Sequence, residues 1–327
     1  MTVSSKAVPR ALSLLIGFAL CSTTFAKDES ARLAALKTRV KAIAEETTYV
    51  ESITKIQRLG RAFGYYTDKG YFGEAADLFV DDGTLQWGVD GVYKGKARIR
   101  ELLTRHGGGS MKDGPGLPFG RLNLRMQLQP VVTVAPDGNS AQARWREWGL
   151  LGEYKKSAVW GDAVIEDRYV KENGVWKIAA RQYYQNFEAP YQGGWATLQP
   201  VTGSWQTAVA KDFPPDAPAP KQYQPFPSVF VPPYHYGEGT RKAIQSKAPF
   251  DAPKRAGDSV GKLESLADAK ELQLARAHSV RALENLQAMY GYYIDKGQWK
   301  KAAALFSGKG TYEFGQSGVY IGNASVA

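Results

Sequence analysis

Asp68 and Asp162, with Tyr66 as a hydroxyl donor beside the first, are the residues of this chain best suited to acid–base chemistry on a small molecule. Strand alternation over Val159–Val170 puts Trp160, Asp162, Val164 and Glu166 on one face. If that face lines a cavity near Asp68, burial and like-charge repulsion raise one carboxyl pKa and leave a proton to transfer near neutral pH. The alternative is structural: Asp162 and Glu166 facing water, and Asp68 capping a turn or paired with Arg144 or Arg146. Tyr65, Tyr66, Trp87, Trp160, Tyr183 and Tyr184 offer aromatic walls for a flat ligand, or equally a plain core. Only one tyrosine of each adjacent couple can face a cavity, so the ligand contacts expected are Trp87, Trp160, Glu166 and Tyr183.

Other chemistries lack their residues. His106, His235 and His278 share no metal-ligand spacing, so neither a metal nor a cofactor is expected. Gly107–Gly109 has no strand leading directly into it, and Gly95-Lys96 lacks the upstream glycine of a phosphate loop. A Gly-x-Ser-x-Gly nucleophile elbow is missing too.

The elements that must position these residues follow from periodicity. From Asp28 to about Lys69 the composition favours helix, and Leu33, Leu36, Val40, Ile43, Thr47 and Val50 have the spacing of a coiled-coil seam. Beyond it, Ile53, Ile56, Leu59, Phe63 and Tyr66 form a broader core-facing stripe. Shorter helices are expected over Tyr71–Phe79 and Ala97–Arg105. Residues 121–187 read as strands, with turns at Pro136-Asp-Gly138 and Glu172-Asn-Gly174. Helices followed by antiparallel hairpins mean an α+β fold, helices laid on one curved sheet.

Residues 64–97 return, ungapped, as residues 291–324, with 18 of 34 positions identical at an offset of 227. So long a period means duplication of a whole domain rather than a solenoid. The expected plan is a signal peptide at 1–26, a complete domain at 27–199, a connecting segment at 200–260 and the start of a second domain at 261–327. The second copy stops before any counterpart of residues 101–195, so the chain reads as a truncated fragment, and the second copy's apolar helix faces are expected to stay exposed unless another chain covers them. The connecting segment holds 11 of the 17 prolines among many aromatics, which suits an extended strap on a domain surface better than a free linker.

Residues 1–26 carry Lys6 and Arg10 before the apolar run Ala11–Cys21 and end Thr24-Phe25-Ala26, the pattern of a secretory signal too short for a membrane span. Removing it takes away the only cysteine and lowers the net charge from +10 to +8. Export without disulfides points to a bacterial periplasm or medium. The remaining bases are interleaved with acids, so no nucleic-acid partner is expected.

The residues carry one resemblance. Gly64-Tyr-Tyr-Thr-Asp68, Ala76-Asp-Leu-Phe79, Asp82-Gly-Thr84, Gly91-Val-Tyr-Lys-Gly95 and Asn173-Gly-Val-Trp-Lys-Ile178 resemble the SnoaL-like branch of the nuclear transport factor 2-like superfamily. That resemblance implies a cone-shaped α+β fold in which helices and a curved antiparallel sheet enclose one pocket. Its members include cyclases, dehydratases, isomerases and non-catalytic binders. Scytalone dehydratases carry an acid where this chain has Asp68; one of their histidines aligns at Trp160 or Asp162, the other near residues 123–126, and this chain has histidine at neither.

Two functions fit. One is an exported pocket protein that binds a small apolar or aromatic molecule and runs a cofactor-free lyase, isomerase or cyclase step through Asp68, Asp162 and Tyr66. The other is a non-catalytic ligand-binding or assembly module, a homo-oligomer joined through the Leu33–Val50 seam.

Overall fold

The computed structural model describes residues 11–109, 115–201, 207–236 and 259–326, with side chains in the first helix from residue 28 onward. Residues 1–10 of the expected signal segment lie outside the described residues, as do the side chains of 11–26. Among the described residues no helix is long and apolar enough to cross a membrane. The chain divides into two compact units, one of residues 1–48 with 247–278, the other of residues 49–246 with 279–327.

In the first unit, part of helix α1 (Ala11–Lys69) lies parallel to part of the helix Ser259–Asp295. Arg32 pairs with Glu264 at 3.1 Å, Arg39 with Glu271 at 2.9 Å and with Asp268, and Glu46 with His278 at 3.2 Å. Partners thus advance seven residues at a time along both helices, the rhythm of flanking charges on a two-helix seam. Leu36 is buried, as are Val260, Ala267 and Leu274. The expected seam is rotated: Leu33 is 40% and Val40 53% exposed, because the arginines one position earlier turn inward to reach the partner's acids.

The second unit is built on a six-stranded sheet. Its strands are β1 (Phe79–Trp87), β2 (Gly91–Lys94), β3 (Arg121–Val134), β4 (Ser140–Glu153), β5 (Ser157–Glu172) and β6 (Val175–Pro190), in the order β2-β1-β6-β5-β4-β3. All neighbours are antiparallel except β1 and β6, which run parallel. The chain reaches β1 from α1 through the short helix α2 (Phe72–Asp77), which ends before Phe79. Helix α3 (Lys96–Gly107) leads from β2 towards β3.

One sheet face, hereafter the inner face, carries Val132, Trp145, Ile165, Tyr169 and Ile178 against Ile53, Ile56 and Phe63 of α1, Phe72 of α2 and Ile99 and Leu102 of α3. Gly60 and Gly64 allow α1 to lie this close. A Cβ on Gly60 would stand 2.3 Å from the Trp145 ring, and one on Gly64 2.9 Å from the Arg125 carbonyl oxygen. A register shift between Leu128 and Val131, with Gln129 at φ 50, adds a bulge that bends β3.

The outer face is also covered, and by the same chain. Val131 and Val164 pack with Ala288, Met289, Tyr292 and Tyr293 of the second copy's helix and with Tyr236. The segment 207–236 starts in the inner core, where Phe213 packs and its carbonyl accepts from Tyr93, passes the edge strand where Val92 bridges to Ala217, and continues on the outer face, where Tyr223 packs with Tyr184 and Val89. Part of the second copy's helix, Ala288–Tyr293, therefore finds its cover on the first copy's sheet rather than on another chain, while Leu283, Phe314, Val319 and Ile321 stay exposed.

Candidate functional site

The inner face closes over a small cavity lined by Phe63 and Thr67 of α1, Trp87 of β1, His106 of α3, Asn123 and Arg125 of β3, Glu147 of β4, and Arg181 and Tyr183 of β6. Three rings are stacked in it. The Trp87 indole lies between the His106 imidazole, 4.1 Å away at 25°, and the Tyr183 ring, 4.4 Å away at 13°. Position 106 follows Ile99, Leu102 and Leu103 at helical spacing, so the apolar stripe of α3 carries the imidazole inward with it.

Next to the stack runs a continuous polar network. Arg125 donates to Glu147 at 2.6 Å, to the Tyr183 hydroxyl at 3.4 Å and to the Asn123 side-chain oxygen at 3.1 Å. Gln127 donates to the other Glu147 oxygen at 2.7 Å and accepts from Arg181 at 2.8 Å. The Arg181 Nε lies 3.3 Å from Asp167, which accepts from Tyr169 at 2.7 Å, and the Trp145 indole donates to the Tyr169 hydroxyl at 3.2 Å. Arg181, Asp167, Glu147 and Asn123 are all buried, so the charges survive only because opposite charges and hydrogen bonds face them.

Burial and the neighbouring Arg125 charge push the His106 pKa down from 6.5 to about 3, so the imidazole is neutral at physiological pH. Its Nε2 is buried and has no hydrogen-bond partner. Burial holds the Tyr183 hydroxyl proton well above its usual range, with the Glu147 charge adding to the effect. Asp167 is raised by burial and pulled back by Arg181 and Tyr169. The site thus offers one neutral imidazole whose Nε2 has no hydrogen-bond partner, two guanidinium cations at Arg125 and Arg181, the Glu147 carboxylate and one phenol. Free space inside amounts to about 20 Å³, the scale of a single water molecule.

Of the residues expected from sequence, Trp87 and Tyr183 line this cavity. Tyr66 packs half-buried against the core, while Tyr65 is exposed and Tyr184 lies under the outer-face strap. The Asp68–Asp162 couple is not formed. Asp68 ends α1 with Lys69 3.1 Å from its Oδ2, and does not line the cavity. Asp162 stands opposite Trp148 on the outer face, since Glu147, one residue away on β4, and its neighbour Ala163 point inward. There burial raises the Asp162 carboxyl, Arg146 and Asn186 lower it, and Asp295 raises it. The acid that acts on Asp162 is therefore the second copy's counterpart of Asp68. Trp160 stacks on Tyr191 at 5.4 Å, and Glu166 pairs with Arg144 and His235, both away from the cavity. The whole Trp160–Glu166 set faces outward because the inner-facing residues of β5 are Ala163, Ile165, Asp167 and Tyr169.

Sequence reasoning passed over His106, Arg125, Glu147 and Arg181. A signal for His106 was present in the α3 stripe. Asn123, Arg125 and Gln127 alternate with Leu122, Leu124, Met126 and Leu128, so on β3 the polar set points in and the apolar set out, the reverse of the usual pattern.

The SnoaL-like domain profile matches residues 48–182 and again 275–327. No curated protein sequence matches the chain. Among solved structures, a scytalone dehydratase candidate from Novosphingobium aromaticivorans is 19% identical, covering 44% of this chain and 91% of its own, with a TM-score of 0.38. LinA is 18% identical over 49% of this chain and 99% of its own, at 0.40. A Catenulispora acidiphila protein solved in complex with S-DNPA is 18% identical over 41% and 92%, at 0.34.

Proposed function

Because the chain belongs to the SnoaL-like domain family, we propose that its inner cavity takes up a small ring-bearing molecule and that His106 moves a proton on it without a cofactor. The observation that carries this reading is the buried, neutral, unpartnered Nε2 of His106 beside Arg125. Burial and Arg125 hold the imidazole unprotonated, so it takes a proton only as negative charge develops on the bound ligand and offsets the Arg125 charge, while Arg125 and the Tyr183 hydroxyl steady the charge left behind. Trp87 supplies the face for the ring. Entry requires one of the stacked rings to swing aside, since the free space present holds no ring. The reaction class is a lyase, isomerase or cyclase step.

That same small free space favours a second reading, a non-catalytic module whose inner network only holds the fold. Native mass spectrometry of the purified chain for a retained aromatic small molecule, followed by turnover assays with His106→Ala, separates the two. Retention with turnover lost in the variant supports catalysis; retention with no turnover in either protein supports ligand binding alone; no retention overturns the pocket reading and supports a network that only holds the fold. The signal pattern of residues 1–26 supports export to a bacterial periplasm or medium. Sequencing the N-terminus of exported material tests it, a start near Lys27 being expected and a retained Met1 refuting it.

A further inference from the structure

We infer that the outer face carries a second, separate binding site, for a neutral polyhydroxylated molecule of small-saccharide size. A groove of about 430 Å³ lies there, bounded by Thr84, Gln86, Gln142, Gln182, Pro233 and His235. Its floor is one straight row across four strands, in which Arg144 stands opposite Glu166, Glu166 opposite Gln182, and Gln182 opposite Gln86. Gln142 and Thr84 belong to the neighbouring row. The wall is the strap, held down where the Arg144 guanidinium donates to the carbonyls of Pro232 and Pro233.

Three features select the ligand. Charge on the floor is already neutralised, because Glu166 accepts from Arg144 with one oxygen and meets the His235 Nδ1 at 3.0 Å with the other. Arg181 and Asp167, which also border the groove, pair with each other at 3.3 Å, which leaves Arg168 as the counter-charge a charged ligand would meet there. The remaining polar groups are side-chain amides and a hydroxyl, each able both to give and to accept a hydrogen bond, which matches adjacent hydroxyls on a ring. Gln182 already donates to Gln86 at 3.2 Å and Gln86 to the Gly88 carbonyl at 3.0 Å, so the amides are held in place in advance. Proline rings at 220 and 233 and the Tyr234 ring supply the apolar surface that the C–H faces of a sugar need.

His235 points to a ligand independently. Its side chain is 5% exposed, Glu166 occupies Nδ1, and Nε2 has no hydrogen-bond partner. A buried ring nitrogen left unsatisfied is unfavourable, and an incoming hydroxyl removes that deficit. This inference does not rest on the proton chemistry assigned to His106, which lies on the other face of the sheet.

Saturation-transfer NMR on the full chain, with maltose and trehalose as probes and glucuronate as a charged comparator, tests it. Saturation of the C–H protons of at least one disaccharide is expected, with millimolar affinity weakened roughly tenfold or more by Gln182→Ala and by His235→Asn. His106→Ala should leave this binding unchanged. Should His235→Asn fail to fold, Gln182→Ala and Thr84→Val, both at partly exposed positions, still give the readout. No saturation with either disaccharide, equal binding in the Gln182 variant, or preference for glucuronate would each overturn the assignment.

Discussion

His106 makes the acid stability of this protein predictable. An unfolded chain binds a proton at this side chain below about pH 6.5, whereas the folded site refuses it down to about pH 3. Between those values the unfolded state holds more protons, so the stability that depends on neutral His106 is fully present above pH 6.5 and is lost as pH falls towards 3. Each pH unit is worth about 1.4 kcal/mol, which gives about 2.7 kcal/mol lost by pH 4.5 and about 5 kcal/mol in all. Other acids titrate over the same range, and comparison with His106→Phe removes them while keeping a ring over Trp87. Urea unfolding of both proteins at pH 7, 5.5 and 4.5 measures the effect. The gap between wild type and variant should shift in favour of the variant by about 2.7 kcal/mol from pH 7 to pH 4.5. A gap that stays constant within about 0.5 kcal/mol would refute the reasoning, since His106 would then be accessible to protons in the folded state.

Glu147→Leu leaves Arg125 buried without its acid and should cost about 3–5 kcal/mol in denaturant unfolding, much of it recovered in the double variant with Arg125→Leu. Gly60→Ala should destabilise by about 1–3 kcal/mol because the new methyl meets the rigid Trp145 ring, while Gly73→Ala, whose nearest neighbours are Arg100 side-chain atoms at 3.8 Å, should be neutral or stabilising; equal thermal shifts would contradict the close approach of α1. Met289→Ala should lower stability by about 2–5 kcal/mol and Leu283→Ala, which is 65% exposed, by less than about 0.5 kcal/mol, and similar losses from both would show that the second copy does not dock on the outer face.

Sequence alone determined the duplication, the fold class and most of the local elements, because each is written in neighbouring residues. The repeat is an identity count, and the turn at Asn173-Gly174 takes the φ of 50° and 80° that this dipeptide favours. The core stripe Ile53, Ile56 and Phe63 needs only helical spacing. Tertiary structure decided which strand residues share a site. Period-two alternation identifies a face only when one side of the sheet stays wet, and here both sides are covered, one by α1–α3 and the other by the strap and the second copy's helix. Trp160, Asp162, Val164 and Glu166 therefore looked like a cavity wall while belonging to the opposite side. Likewise Arg125 meets Glu147 only through the β3–β4 register, and Asp162 meets Asp295 only because a helix more than a hundred residues away folds back over the sheet. Contacts of that range are set by packing between distant segments, which no local pattern encodes.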